Sequence, residues 1–138
     1  MKLAIVLVLA GCGALASQQG DTLGDSVRDY NDGIRWARFE NAAAFLPAGQ
    51  RAQFLDDWDQ RAKDLKITDY EVVKVVHRGD HEAHVEVKLE WYRDSEGTVH
   101  ETRAQETWER RGRAWLLVDE ARLRGEQMPG LPEPLMKD

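Results

Sequence analysis

EAHVEVKLEWYR, residues 82–93, decides the fold. Ala83, Val85, Val87, Leu89 and Trp91 fall on one side of an extended chain, and His84, Glu86, Lys88, Glu90 and Tyr92 on the other. Strict alternation over this length is the pattern of a β-strand with one face in a core and one in water, and a helical period does not fit it. Working outward, RGDH at 78–81, DSEG at 94–97 and RRGR at 110–113 are turn signals. They divide the second half of the chain into four strands at about 67–77, 82–93, 98–110 and 113–121. Connections this short join antiparallel neighbours, so the strands form a meander.

Register decides which side chains meet, because a shift of one residue turns every side chain to the other face. Gly79-Asp80 read as a two-residue turn pairs Val76 with Ala83, Val72 with Val87 and Tyr70 with Leu89. Two registers are open for the third strand. Four- and two-residue loops set Trp91 opposite His100, Val85 opposite Glu106 and Trp108 opposite Trp115, which brings His100, Thr102, Glu106, Trp108 and Asp119 to the apolar face. Three-residue loops ending at bulged Gly97 and Gly112 bring Glu101, Arg103, Gln105 and Thr107 there instead. In both, polar groups enter a mostly apolar surface, as they do in a ligand-sized pocket. The fourth strand, AWLLV at 114–118, is apolar on both faces. A helix or a second copy of the chain must cover its second side, and Trp108, Trp115, Leu116 and Val118 are the binding candidates, for a protein partner on the outer side of the strand or a small apolar ligand in the core.

Ahead of the strands the period is helical. Val27, Tyr30, Ile34, Ala37 and Ala44 form one stripe over 25–46, with Asp25 or Ser26 as N-cap, Gly33 as a weak point and Pro47 as the stop. Phe54, Leu55, Trp58, Ala62 and Leu65 form a second stripe over 48–65. The expected class is α+β, two helices packed on a four-stranded antiparallel meander. This order, over residues 25–121, resembles the NTF2-like or cystatin-like α+β cone, a group that includes ketosteroid isomerase and many non-catalytic envelope domains. The resemblance implies a third helix, which the apolar pattern does not reveal. YNDGIRWARFENAAAFLP and ITDYEV are also similar to stretches of uncharacterised proteobacterial lipoproteins.

Near the start stand Lys2, an apolar run from Leu3 to Ala10, and small residues around Cys12, the single cysteine. That is the layout of a secretory signal, and the run is short of the roughly 20 residues that cross a bilayer. Leu9-Ala10-Gly11-Cys12 resembles the lipobox of bacterial lipoproteins. The resemblance implies removal of residues 1–11 and acylation of Cys12 by two or three chains, each contributing about 0.8 kcal/mol per buried CH₂. Residues 12–24 would then be the acylated cysteine and a flexible tether spanning about 20 Å. Gly13 rather than Asp after the cysteine resembles lipoproteins delivered to the outer membrane, so its periplasmic face is expected ahead of the inner membrane. Residues 122–138, broken by three prolines, read as an extended tail.

Composition narrows the function. A net charge of -6 with both signs interspersed leaves no basic face for nucleic acid. One cysteine excludes an intramolecular disulfide. His77, Glu82 and His84 are the metal candidates, since the assumed turn sets them on one face, yet histidines beside an exposed turn are ordinarily solvated. His100, Glu106 and Asp119 are the acid/base candidates: a carboxyl among tryptophans loses solvation and gains proton affinity. The competing reading of Glu106 is an ion pair with Arg103 or Arg110. No nucleophile, base and oxyanion loop can be assembled, and no cofactor is expected. The reading favours a lipid-anchored envelope module that binds or scaffolds. An enzyme with a pocket carboxylate as general base, and a structural homodimer through the sheet, are the alternatives.

Overall fold

The alternating stretch is the second strand of a single antiparallel sheet: β1 (Leu65–Arg78), β2 (Glu82–Arg93), β3 (His100–Arg111) and β4 (Ala114–Gly125), in that spatial order. The computed structural model describes residues 22–134. The four-stranded meander stands as the sequence predicts, and the first of the two registers holds between β2 and β3, with Trp91 opposite His100 and Val85 opposite Glu106. Along β2 the inward residues Ala83, Val85, Val87, Leu89 and Trp91 are all buried.

Bulges amend the rest, two between β1 and β2 and two between β3 and β4. Between β1 and β2 the loop takes three residues, 79–81, so Val76 meets His84 and His77 meets Ala83. An extra residue at Val73 restores the expected pairing, and Val72–Val87 and Tyr70–Leu89 follow as predicted. Between β3 and β4 the turn is Gly112-Arg113, with Gly112 at a φ of 65°. Glycine takes the left-handed position, which arginine would occupy only at a cost. Trp115 therefore pairs with Arg110, and Trp108 with Leu117 rather than Trp115. Val118 is then skipped, so Asp119 meets Thr107 and Glu120 meets Glu106.

The helical half has three helices where the apolar stripes predict two: α1 (Leu23–Arg35), α2 (Phe39–Ala43) and α3 (Arg51–Arg61), the last preceded by a short turn at Ala48–Gln50. Thr22 caps α1, its hydroxyl accepting from the Asp25 amide. The chain leaves α1 through Ala37, at a φ of 56°. The Arg38 amide donates to the Gly33 carbonyl and the Ala37 amide to that of Ile34, a Schellman ending with alanine in the glycine position. Gly33 is the reason the chain can fold back: a Cβ there would lie 3.0 Å from Ala42 Cβ.

All three helices pack over the inward face of the sheet. Val27, Tyr30 and Ile34 from α1 and Trp58 from α3 share one core with Val85, Val87, Leu89, Trp91 and Trp108. Full burial of side chains of this size contributes roughly 1.5–3 kcal/mol each. Tyr30 meets Trp108 edge-on at 6.0 Å, and Phe39 stacks on Trp58 at 5.2 Å. The expected tail boundary at 121 moves outward. β4 runs to Gly125, Met128 and Leu131 are buried, and the Arg122 amide donates to the Pro132 carbonyl. The signal segment, Cys12 and most of the expected tether lie outside the described residues, as do residues 135–138; residues 22–24 belong to the capped start of α1.

Candidate functional site

The β4 bulge at Val118 builds the site. By turning Asp119 outward and Glu120 inward, it sets Glu120 across from Glu106 on the core face. Directly opposed side chains on adjacent strands have Cβ atoms about 4.5–5.5 Å apart. Glu106 is only 1% exposed. Its two oxygens are held separately: the Asn31 amide donates to Oε2 at 2.9 Å and the Trp108 indole N–H to Oε1 at 2.9 Å. Asn31 also donates to the Val27 carbonyl, which fixes its orientation on α1.

Burial pushes the Glu106 carboxyl up to about 8, and the neighbouring Glu120 charge adds to the effect, against the pull of the two donors. Burial likewise lifts Glu120 to about 7, opposed by a hydrogen bond from Tyr30 and by the charge of Arg61. Two such carboxyls do not both ionise near neutral pH; they titrate as a pair. Burial, followed by the charges of Glu120 and Glu106, raises the Tyr30 hydroxyl well above its usual range, so it stays a proton donor.

Glu120 opens onto a cavity of ≈ 240 Å³ between α3 and β4, closed at one end by the tail at Gly130 and Pro132. Phe54, Trp58, Leu117 and Val118 supply apolar wall; Tyr30, Asp57 and Arg61 supply polar wall beside Glu120. The Arg61 guanidinium lies 4.5 Å from the centre of the Trp58 ring. On another side it abuts Gly130, where a Cβ would fall 2.0 Å from Arg61 Nε. Glycine at 130 is thus what admits the guanidinium. Partial burial lowers the Arg61 proton affinity, and Asp57 and Glu120 partly restore it.

The structure separates the residues proposed from sequence. Glu106 lies in the core beneath the cavity, but Asp119 is exposed and on the opposite face, with Glu120 in the position foreseen for it. His100 lies at the far end of β3, about 20 Å along the strand from Glu106. It stacks on Trp91 at 4.5 Å and faces Glu96 and Glu126. The three acid/base candidates are therefore not brought together. Nor is Glu106 paired with Arg103 or Arg110: Arg103 bonds Glu86 on the outer face, and Arg110 bonds the Gly112 carbonyl.

The metal candidates also part. The Val73 bulge sets His77 on the inward face, 6.3 Å from the Trp115 ring, while Glu82 and His84 contact each other on the outer face. Among the described residues, no group of three or more His, Cys, Asp or Glu is placed to hold a metal. Trp108 and Trp115 are buried in the core, Leu116 is half-buried opposite Glu109, and Val118 lines the cavity. The outer edge of β4 is already occupied, as the Leu117 amide donates to the Phe45 carbonyl and Arg122 to Pro132.

Sequence reading missed Glu120 and Arg61. The signal for Arg61 was present: it follows Trp58 by three residues, the helical spacing that lets a guanidinium lie over an indole. For Glu120 no local signal existed, because only the bulge turns it inward.

Solved structures share this architecture. A ketosteroid isomerase-like protein from Erwinia carotovora matches over 72% of this chain and 92% of its own, with a TM-score of 0.59 and 12% identity. An NTF2-like protein of unknown function in nutrient uptake from Rhodospirillum rubrum matches over 72% and 95%, with a TM-score of 0.56 and 19% identity. The fold is the NTF2-like cone. A SEC-C motif containing protein from Rhodopseudomonas palustris shares it as well, with a TM-score of 0.62 over 72% of this chain and 77% of its own, at 12% identity. No protein-family model matches the chain, and no curated protein does. The third helix that the NTF2-like resemblance implies is α2, concealed in the sequence because its residues continue the α1 stripe.

Proposed function

We propose that this NTF2-like domain is a non-catalytic binding module of the cell envelope, anchored through lipid on Cys12, that holds a small polar molecule in the cavity between α3 and β4. The observation that carries the binding reading is the cavity itself, where a positioned guanidinium and a carboxyl stand in an apolar wall. At ≈ 240 Å³ it lies just below the usual span of drug-sized sites and suits a metabolite of few atoms. The lipobox resemblance at 9–12 supports the anchor, and the apolar leader supports export. The periplasmic face of the outer membrane is the favoured location.

Two experiments test the two halves. Amide NMR of the purified chain, titrated with a panel of small polar fragments, should show shifts centred on Phe54, Arg61 and Glu120, and Val118→Trp should abolish them by filling the cavity. Shifts scattered over the surface, or none, overturn the binding reading. Mass spectrometry of the mature N-terminus should find a diacylglyceryl group on Cys12; an unmodified Cys12, or cleavage beyond it, overturns the anchor.

A second reading rests on Glu120. Its proton affinity near neutrality, in the wall of a cavity, suits a general base, whereas Glu106 is sealed from any ligand. This enzyme reading requires catalysed exchange of an acidic C–H proton of a bound fragment with solvent, lost in Glu120→Gln.

A further inference from the structure

Arg61 is the cation of the cavity wall. Its guanidinium is held between the Trp58 ring and Gly130, so its position is fixed before any ligand arrives. Yet among the described residues it donates no side-chain hydrogen bond, and no carboxylate lies within 4.0 Å of it. A half-buried guanidinium carries a desolvation cost that a bidentate carboxylate relieves best. An anion alone would fit poorly, however. Asp57 and Glu120 line the same cavity and would repel it, whereas an ammonium group there would be attracted.

Opposite charges on one small cavity, joined by an apolar wall, specify a molecule with opposite charges and an apolar side chain. On the reading that this cavity is a binding site, we infer that its ligand is an amphoteric molecule of amino-acid size, with its carboxylate on Arg61, its ammonium at Glu120 and its apolar group against Phe54 and Leu117. Size agrees, since ≈ 240 Å³ equals the share of about eight liquid water molecules at roughly 30 Å³ each. Charge pairing at both ends also explains why so polar a wall surrounds so small a space.

Calorimetric titration of the purified full chain with four matched probes tests this: L-leucine, isocaproate, which lacks the amine, isoamylamine, which lacks the acid, and isoamyl alcohol, which lacks both charges. L-Leucine should bind at least about tenfold tighter than any of the other three. Arg61→Gln should bring L-leucine down to the level of isoamylamine, and Glu120→Gln down to that of isocaproate. Arg61→Lys, which keeps the charge but not the fork, should recover part of the first loss and guards against misfolding of the glutamine variant. If isocaproate or isoamylamine equals L-leucine while amide shifts still centre on the cavity, the amphoteric assignment is overturned and the binding site stands. If isoamyl alcohol binds as well as the rest, charge recognition is overturned. If no probe shifts any cavity amide, the binding site itself is overturned.

Discussion

Glu106 of β3 and Glu120 of β4 stand directly opposite each other on the inward face of the sheet, the first sealed in the core and the second opening onto the cavity. This pairing governs how the domain responds to pH. Burial raises both carboxyls, so the folded protein retains a proton that the unfolded chain releases in the ordinary range near 4.5. Stability is therefore fully present below that range and is lost as pH rises toward about 8. Urea unfolding across these limits should show stability falling steadily as pH rises.

Replacing Glu106 by glutamine removes one titration but leaves two donors, Asn31 and Trp108, facing a side chain with one acceptor. Glu106→Gln should lose about 1–3 kcal/mol at acid pH, and the loss should narrow or reverse near the alkaline end of the window. Parallel stability–pH curves for the two proteins would contradict the assignment.

Gly33 sets helix preference against packing. In an open helix, glycine to alanine gains up to about 1 kcal/mol. Here the new Cβ would meet Ala42 Cβ at 3.0 Å and Arg38 O at 3.1 Å, where backbone cannot give way. Gly33→Ala should therefore destabilise by about 1–3 kcal/mol, measured by chemical denaturation.

At Ala37 the expected sign is opposite. Its φ of 56° is the left-handed conformation that closes α1. Glycine adopts that conformation freely, and against its larger unfolded-state entropy Ala37→Gly should stabilise by about 0.5–1 kcal/mol in the same assay.

Thr102 connects the tail to the core. Its buried hydroxyl accepts from the Trp91 indole at 2.8 Å and donates to the Glu126 carbonyl at 2.6 Å. Thr102→Val leaves both partners unpaired and should cost about 1–3 kcal/mol, whereas Thr102→Ser keeps both bonds and should cost less. Amide exchange at 126–131 should quicken in the valine variant alone.

What the sequence determined by itself was local and periodic. Alternation in 82–93 set the β2 face, and glycines at 79, 97 and 112 placed the turns, each at positive φ. Helical stripes placed Val27, Tyr30, Ile34 and Trp58 in the core. Those signals suffice for the α+β class because side-chain period follows directly from backbone geometry.

Tertiary structure decided the breaks in period. The turn at 36–38 interrupts an unbroken apolar stripe because Gly33 lets α2 lie against α1, a contact no stripe encodes. The bulge at Val118 exchanges Asp119 for Glu120, and beside it the Leu117 amide bonds a carbonyl 72 residues earlier in the chain, at Phe45. Bulges cost little locally and are placed by what packs on the strand edge, so one skipped residue decided which carboxyl faces the cavity. Arg61 joined it through the tail, since Gly130 has no side chain to exclude the guanidinium.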